Sequence, residues 1–136
     1  MKQLTEGMFV SGQIAAEDVP AIAAQGVTMI VNNRPDAEEA GQPASAGIEA
    51  AARAAGIEFR HVPVGPGGLS SDQVQAMAEA LDATGGKVLA FCRSGTRSTY
   101  LWALARAQAG DEAEDIMGRA ADAGYDLSPI AAYLRG

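Results

Sequence analysis

One cysteine and one histidine serve the whole 136-residue chain. A lone cysteine excludes an internal disulfide and points to a reducing compartment. A lone histidine excludes a multi-histidine metal site. Basic residues are scarce as well, ten Lys and Arg against seventeen Asp and Glu, for a formal net charge of -7. Such a body lacks the basic face that general nucleic-acid binding needs, and anionic membrane surfaces repel it. No stretch approaches the roughly 20 apolar residues that span a bilayer. The opening MKQLTEGMFVSGQ has no apolar run of signal-peptide length. The expectation is a cytoplasmic protein with no nucleic-acid partner, no membrane partner, no cofactor and no metal.

What is present is an ordinary globular composition, 48% apolar and rich in alanine. The length suits one domain over residues 1–136. Strand-like and helical segments alternate. Strands are predicted at 8–12, 27–33, 57–64 and 87–91. Helices are predicted at 16–24, 45–55, after Ser70, from about Gly95 to Ala109 and around Ala113–Ala120. Ser70 and Gln73 have the spacing of a capping box. Ser128 and Pro129 read as N-cap and first position of a last short helix. This alternation predicts an α/β domain: a mainly parallel sheet of about four to five strands flanked by helices.

The lone cysteine falls in FCRSGTRSTYLW (91–102), between a buried strand and a helix. Ligands of open α/β sheets bind outside the carboxyl ends of the strands. A helix N-terminus there offers free amides and the positive end of a dipole. Gly95 lets the backbone curl inward. Cys92, Arg93, Ser94, Gly95, Thr96 and Arg97 thus form an anion cradle around a thiol, which favours the nucleophilic thiolate. Arg97 brings a fork of donors suited to an oxyanion. Ser98 or Thr96 is placed to hydrogen-bond the sulfur. Arg93 either faces solvent or touches substrate.

The loop resembles two families. Tyrosine and dual-specificity phosphatases carry Cys, five residues and Arg, followed by Ser or Thr. Rhodanese-type sulfurtransferases carry a loop one residue shorter, commonly Cys-Arg-Ser-Gly-x-Arg. Here four residues separate Cys92 from Arg97, as in the rhodanese pattern. Over nearly the whole chain, LTEGMFVSGQIAAEDV (4–19), VNNRPDAEE (31–39), HVPVGPGGLSSDQV (61–74) and the cysteine segment resemble one bacterial family. It is known as beta-lactamase hydrolase-like, phosphatase-like domain, or as sulfur transferase. The resemblance implies a dual-specificity-phosphatase-like fold.

It also frames a choice of chemistry. In dual-specificity phosphatases an aspartate on the loop after the strand equivalent to RHVPV protonates the leaving group. That loop is Gly65-Pro66-Gly67-Gly68 here, without a carboxylate, and the nearest, Asp72, falls in the first turn of the next helix. Phe91 stands where those phosphatases commonly have His. Sulfur transfer needs no acid, because sulfite and thiolates leave as stable anions. The expected function is therefore a sulfurtransferase that forms a Cys92 persulfide from a small anionic sulfane-sulfur donor. Cys92, Arg97 and Ser98 would be catalytic, and an external thiol would accept the sulfur. The alternative is a phosphatase with a shortened loop and Asp72 as a possible acid. A second alternative is a non-catalytic module binding an anion or persulfide. Arsenate reduction usually draws on further cysteines, and there are none.

Other residues are expected to play smaller parts. Asn33 and Arg34 begin a loop on the rim of Cys92 and either bind an anionic substrate or set a turn. Asp36, Glu38 and Glu39 read as a solvated acidic face. His61 reads as a hydrogen-bonded structural residue.

Overall fold

A computed structural model describes residues 1–135. Among them are five strands, β1 (Lys2–Thr5), β2 (Met8–Ser11), β3 (Val27–Asn32), β4 (Glu58–His61) and β5 (Lys87–Phe91). Six α-helices accompany them: α1 (Val19–Ala24), α2 (Ser45–Ala54), α3 (Ser71–Asp82), α4 (Thr96–Gln108), α5 (Ala113–Asp122) and α6 (Ala131–Arg135). The strand order is β1-β2-β5-β3-β4. Only β1 runs antiparallel, paired to β2, and every other pairing is parallel.

Side-chain alternation sorts the strands into two cores. Met29, Val31, Val88 and Ala90 point to one face, where they meet Val74 and Met77 of α3, Leu101 and Trp102 of α4, and Ile116 of α5. Ile30, Leu89 and Phe91 point to the other, against Val19 and Ile22 of α1 and Ile48 and Ala52 of α2. A strand covered on both faces has no polar side to show. In β5, accordingly, every residue after Lys87 is buried. That central strand ends at the cysteine.

Three expectations change in detail. Only Leu4 of β1 is buried, so this edge strand carries no apolar alternation to announce it. The predicted helix at 16–24 divides into a 3-10 turn (Ala16–Asp18) and α1, with Pro20 in the first turn of α1. Ser128 does not cap the last helix. It opens a 3-10 turn, and Asp126 accepts from both its amide and its hydroxyl at 2.9 Å. The capping box of α3 forms as the spacing predicts: Ser70 Oγ accepts from the Gln73 amide at 3.4 Å, and Gln73 Oε1 accepts from the Ser70 amide at 2.7 Å.

Candidate active site

The segment after β5 is gripped from both neighbouring strands. The Cys92 amide donates to Ser11 O at 3.3 Å, and the Gln13 amide donates to Arg93 O at 3.3 Å. On the opposite side the Asn33 amide donates to Phe91 O at 2.8 Å. These bonds follow from the order β2-β5-β3, which brings the ends of three parallel strands together. Gly12 lies so close that a Cβ there would sit 3.0 Å from Arg93 O.

Gly95 is the N-cap of α4, at φ 94°, a left-handed conformation that glycine adopts without a side-chain penalty. This turn aims the Gly95 amide at the buried Cys92, and the amide donates to Sγ at 3.1 Å. No side chain caps α4 from the N-cap position. Its first-turn amides, at Thr96, Arg97 and Ser98, have no helical carbonyl to donate to and present positive charge to the loop. Thr99, a residue sequence reasoning passed over, ties the turn together by donating its hydroxyl to Gly95 O at 2.8 Å. Its signal is a threonine four residues after the capping glycine.

Neither hydroxyl expected at the sulfur is bonded to it. Thr96 pairs with Ser94 at 3.1 Å on the exposed rim, and Ser98 Oγ is buried without a partner. The backbone amide of Gly95 takes that role.

The acidic segment after β3 proves to be part of the site. Glu38 accepts from Arg97 Nη1 at 2.8 Å and Nη2 at 2.9 Å, a two-pronged pair. It also accepts from Arg34 Nε at 2.8 Å. Glu39 pairs with Arg34 at 3.0 Å and with Arg93 at 2.7 Å. Asp36 takes the Ser45 amide at 2.8 Å at the start of α2. Asp36, Glu38 and Glu39 are exposed, as expected of a solvated face, but the two glutamates are also paired: a cluster of arginines around an anion cradle needs counter-charge, and this loop supplies it. Hydrogen bonds from Arg97, first, and from Arg34 hold the Glu38 carboxyl down to about 2. The same Glu38 bond raises Arg97 against the effect of burial, and the adjoining Cys92 adds to it.

The remaining candidates are distributed unevenly. Arg34 is buried, and its guanidinium is bound by Glu38, Glu39 and Gln13. Asn33 is buried, with Nδ2 donating to Val62 O at 2.9 Å and Oδ1 unpartnered. Arg93 is mostly exposed on the rim. His61, at the end of β4, bonds Arg34 O at 2.9 Å and so buttresses the acidic loop. Asp72 is exposed in the first turn of α3. A cavity of about 310 Å³ beside Trp102, Arg106 and Arg119 opens at Gly7 and Gly86, near the amino ends of β2 and β5, the opposite end from the thiol. Among the described residues no group of three or more His, Cys, Asp or Glu is placed to hold a metal ion. No described helix is long and apolar enough to cross a membrane.

A mostly parallel α/β domain with a thiol and an arginine at the mouth of its central strand is the architecture of a phosphatase-like fold. The sequence model of the family "Beta-lactamase hydrolase-like protein, phosphatase-like domain" matches residues 1–109, and the chain belongs to that family. Beta-lactamase hydrolase-like proteins of Agrobacterium fabrum and Xylella fastidiosa are 32% and 36% identical over 97% of this chain. The chain spans 31% of the length of these relatives. A Neisseria meningitidis protein solved as a candidate phosphatase superposes with a TM-score of 0.84 at 34% identity, covering 98% of this chain and 94% of that one. PTPMT1 shares the fold at 14% identity, with a TM-score of 0.73 over 98% of this chain and 90% of its own.

Proposed function

We propose that the chain is a cysteine-dependent sulfurtransferase built on a phosphatase-like fold. The observation that carries this reading is that each carboxylate near the cradle has another partner or another place. Glu38 and Glu39 are bound to arginines, Asp36 is bound to the start of α2, and Asp72 is exposed in the first turn of α3. Glu38, ionised down to about pH 2, has no proton to give at neutral pH. Phosphate-ester cleavage generally needs a proton donor for its leaving oxygen, whereas sulfur transfer needs none. The Cys92 thiolate attacks the outer sulfur of a donor such as thiosulfate. The donor S–S bond breaks, sulfite leaves with the electron pair, and Cys92 carries a persulfide. An external thiolate then attacks the outer sulfur, forms its own persulfide and restores the Cys92 thiolate. Arg97 and the amides of the loop stabilise the anions in both steps.

The second reading is a phosphatase, and the comparisons favour it: the family description and the Neisseria neighbour both speak of phosphatases. In that chemistry Cys92 would take the phosphoryl group, and water or a displaced Asp72 would assist the leaving oxygen. Purified protein and Cys92→Ser, assayed on thiosulfate with cyanide or a thiol and on an aryl phosphate, separate the two. Thiocyanate or persulfide production that needs Cys92, without phosphate release, is expected. Cys92-dependent phosphate release alone overturns the sulfur reading.

A further inference from the structure

Tyr125 lies beyond residues 1–109, the part of the chain that the family sequence model matches. It reaches the cysteine loop because of the way α5 ends. The Gly124 amide donates to Ala121 O at 2.9 Å and the Tyr125 amide to Ala120 O at 2.8 Å, with Gly124 at φ 96°. This is a Schellman stop, and it fixes Tyr125 on the buried Ala120. Tyr125 is partly buried against the core that holds Leu101, Trp102 and Ile116, and its hydroxyl donates to Ser94 O at 2.9 Å.

The carbonyl it binds and the amide that faces the thiol belong to one peptide unit. Ser94 C=O accepts from Tyr125, and Gly95 N–H donates to Cys92 Sγ at 3.1 Å. In a trans peptide these two bonds point in opposite directions, so the unit is held at one end by the phenol and at the other by the sulfur. The next residue, glycine in a left-handed turn, gives the peptide little resistance to rotation. Turned over, it would aim the Ser94 carbonyl oxygen at the thiol. The fit is close as well, since a Cβ on Gly95 would collide with the Tyr125 hydroxyl.

We propose that Tyr125 is a positioning residue: its hydroxyl fixes the Ser94–Gly95 peptide with the amide on Cys92, and so sustains the reactive thiolate. Burial first, and then the charge of Cys92, push the phenol above its ordinary range, so it stays a donor at neutral pH. Arg97 of α4 faces the sulfur and is itself paired with Glu38, while Arg93 of the loop stands exposed on the rim, paired with Glu39. The proposal rests on Cys92 as nucleophile and on neither reading of the group it carries.

Tyr125→Phe removes the hydroxyl and keeps the ring. Cys92 is the only cysteine, so alkylation by iodoacetamide reports it without background. Rates measured from about pH 5 to about pH 9 trace its thiolate. The variant's profile is expected to shift to higher pH by about half a unit to one unit, with a severalfold lower turnover and little change in donor KM. An unshifted alkylation profile in a folded variant overturns the proposal. Alkylation needs no donor substrate, so this result is independent of the sulfur and phosphate assays. If the variant melts below the assay temperature, amide hydrogen exchange of Gly95 in the unaltered protein decides. Protection well above that of an exposed loop amide is expected, and free exchange overturns the proposal.

Discussion

Arg97 carries five N–H donors, and three are engaged within the chain: two on Glu38 and one on Val64 O at 2.9 Å. The donors left over are Nε–H and one Nη2–H, neighbours on one edge of the guanidinium. A planar fork with one edge anchored leaves the other edge aimed, which an unanchored arginine would not do. Glu38→Gln keeps the shape and gives up the charge-assisted pair. Its kcat/KM is expected to fall about tenfold with the fold intact. Steady-state rates on whichever donor turns over will check this. Unchanged or faster turnover would mean that Glu38 competes with substrate for Arg97 instead of orienting it.

At the level of elements, the parts written in local chemistry were legible. The apolar run of β5, the capping box of α3 and the glycine between Cys92 and Arg97 each announce a feature that the structure contains. Ser70→Ala, which alters no residue of the cysteine loop, is expected to lower stability by about 1 kcal/mol, a melting shift of a few degrees, with turnover unchanged. Thermal unfolding and the same assay test it. Other elements gave no local sign. Glu38 meets Arg97 across 59 positions of chain, and Tyr125 meets Ser94 across 31. Nothing in the composition of DAEE separates a solvated loop from a counter-charge, because that difference is made by which strand lies beside which. The edge strand β1 is hidden for a related reason, since pairing on one side asks little of its side chains.

Across the whole molecule, a body of net charge -7 holds three arginines in one place, screened by two glutamates. That arrangement links stability to acid. Glu38 has a folded value of about 2 against 4.5 for the free side chain. A depressed carboxyl stabilises the fold above its unfolded value, and the contribution is lost as pH falls through the folded one. The melting temperature is therefore expected to drop as pH is lowered from about 4.5 toward about 2, more steeply in the natural chain than in Glu38→Gln. Asp111, also lowered, by its bond to Arg106, leaves a residual slope in both. Equal slopes in the two proteins would mean that the ion pair is not maintained in solution.

Whether Cys92 takes up sulfane sulfur is read from the mass of the intact protein after brief exposure to thiosulfate and removal of excess donor. A gain of one sulfur atom on Cys92 is expected, reversed by an added thiol and absent in Cys92→Ser. An unmodified thiol after thiosulfate, together with a phosphoryl adduct on Cys92 after an aryl phosphate, would contradict it and establish the fold's phosphatase chemistry in this chain.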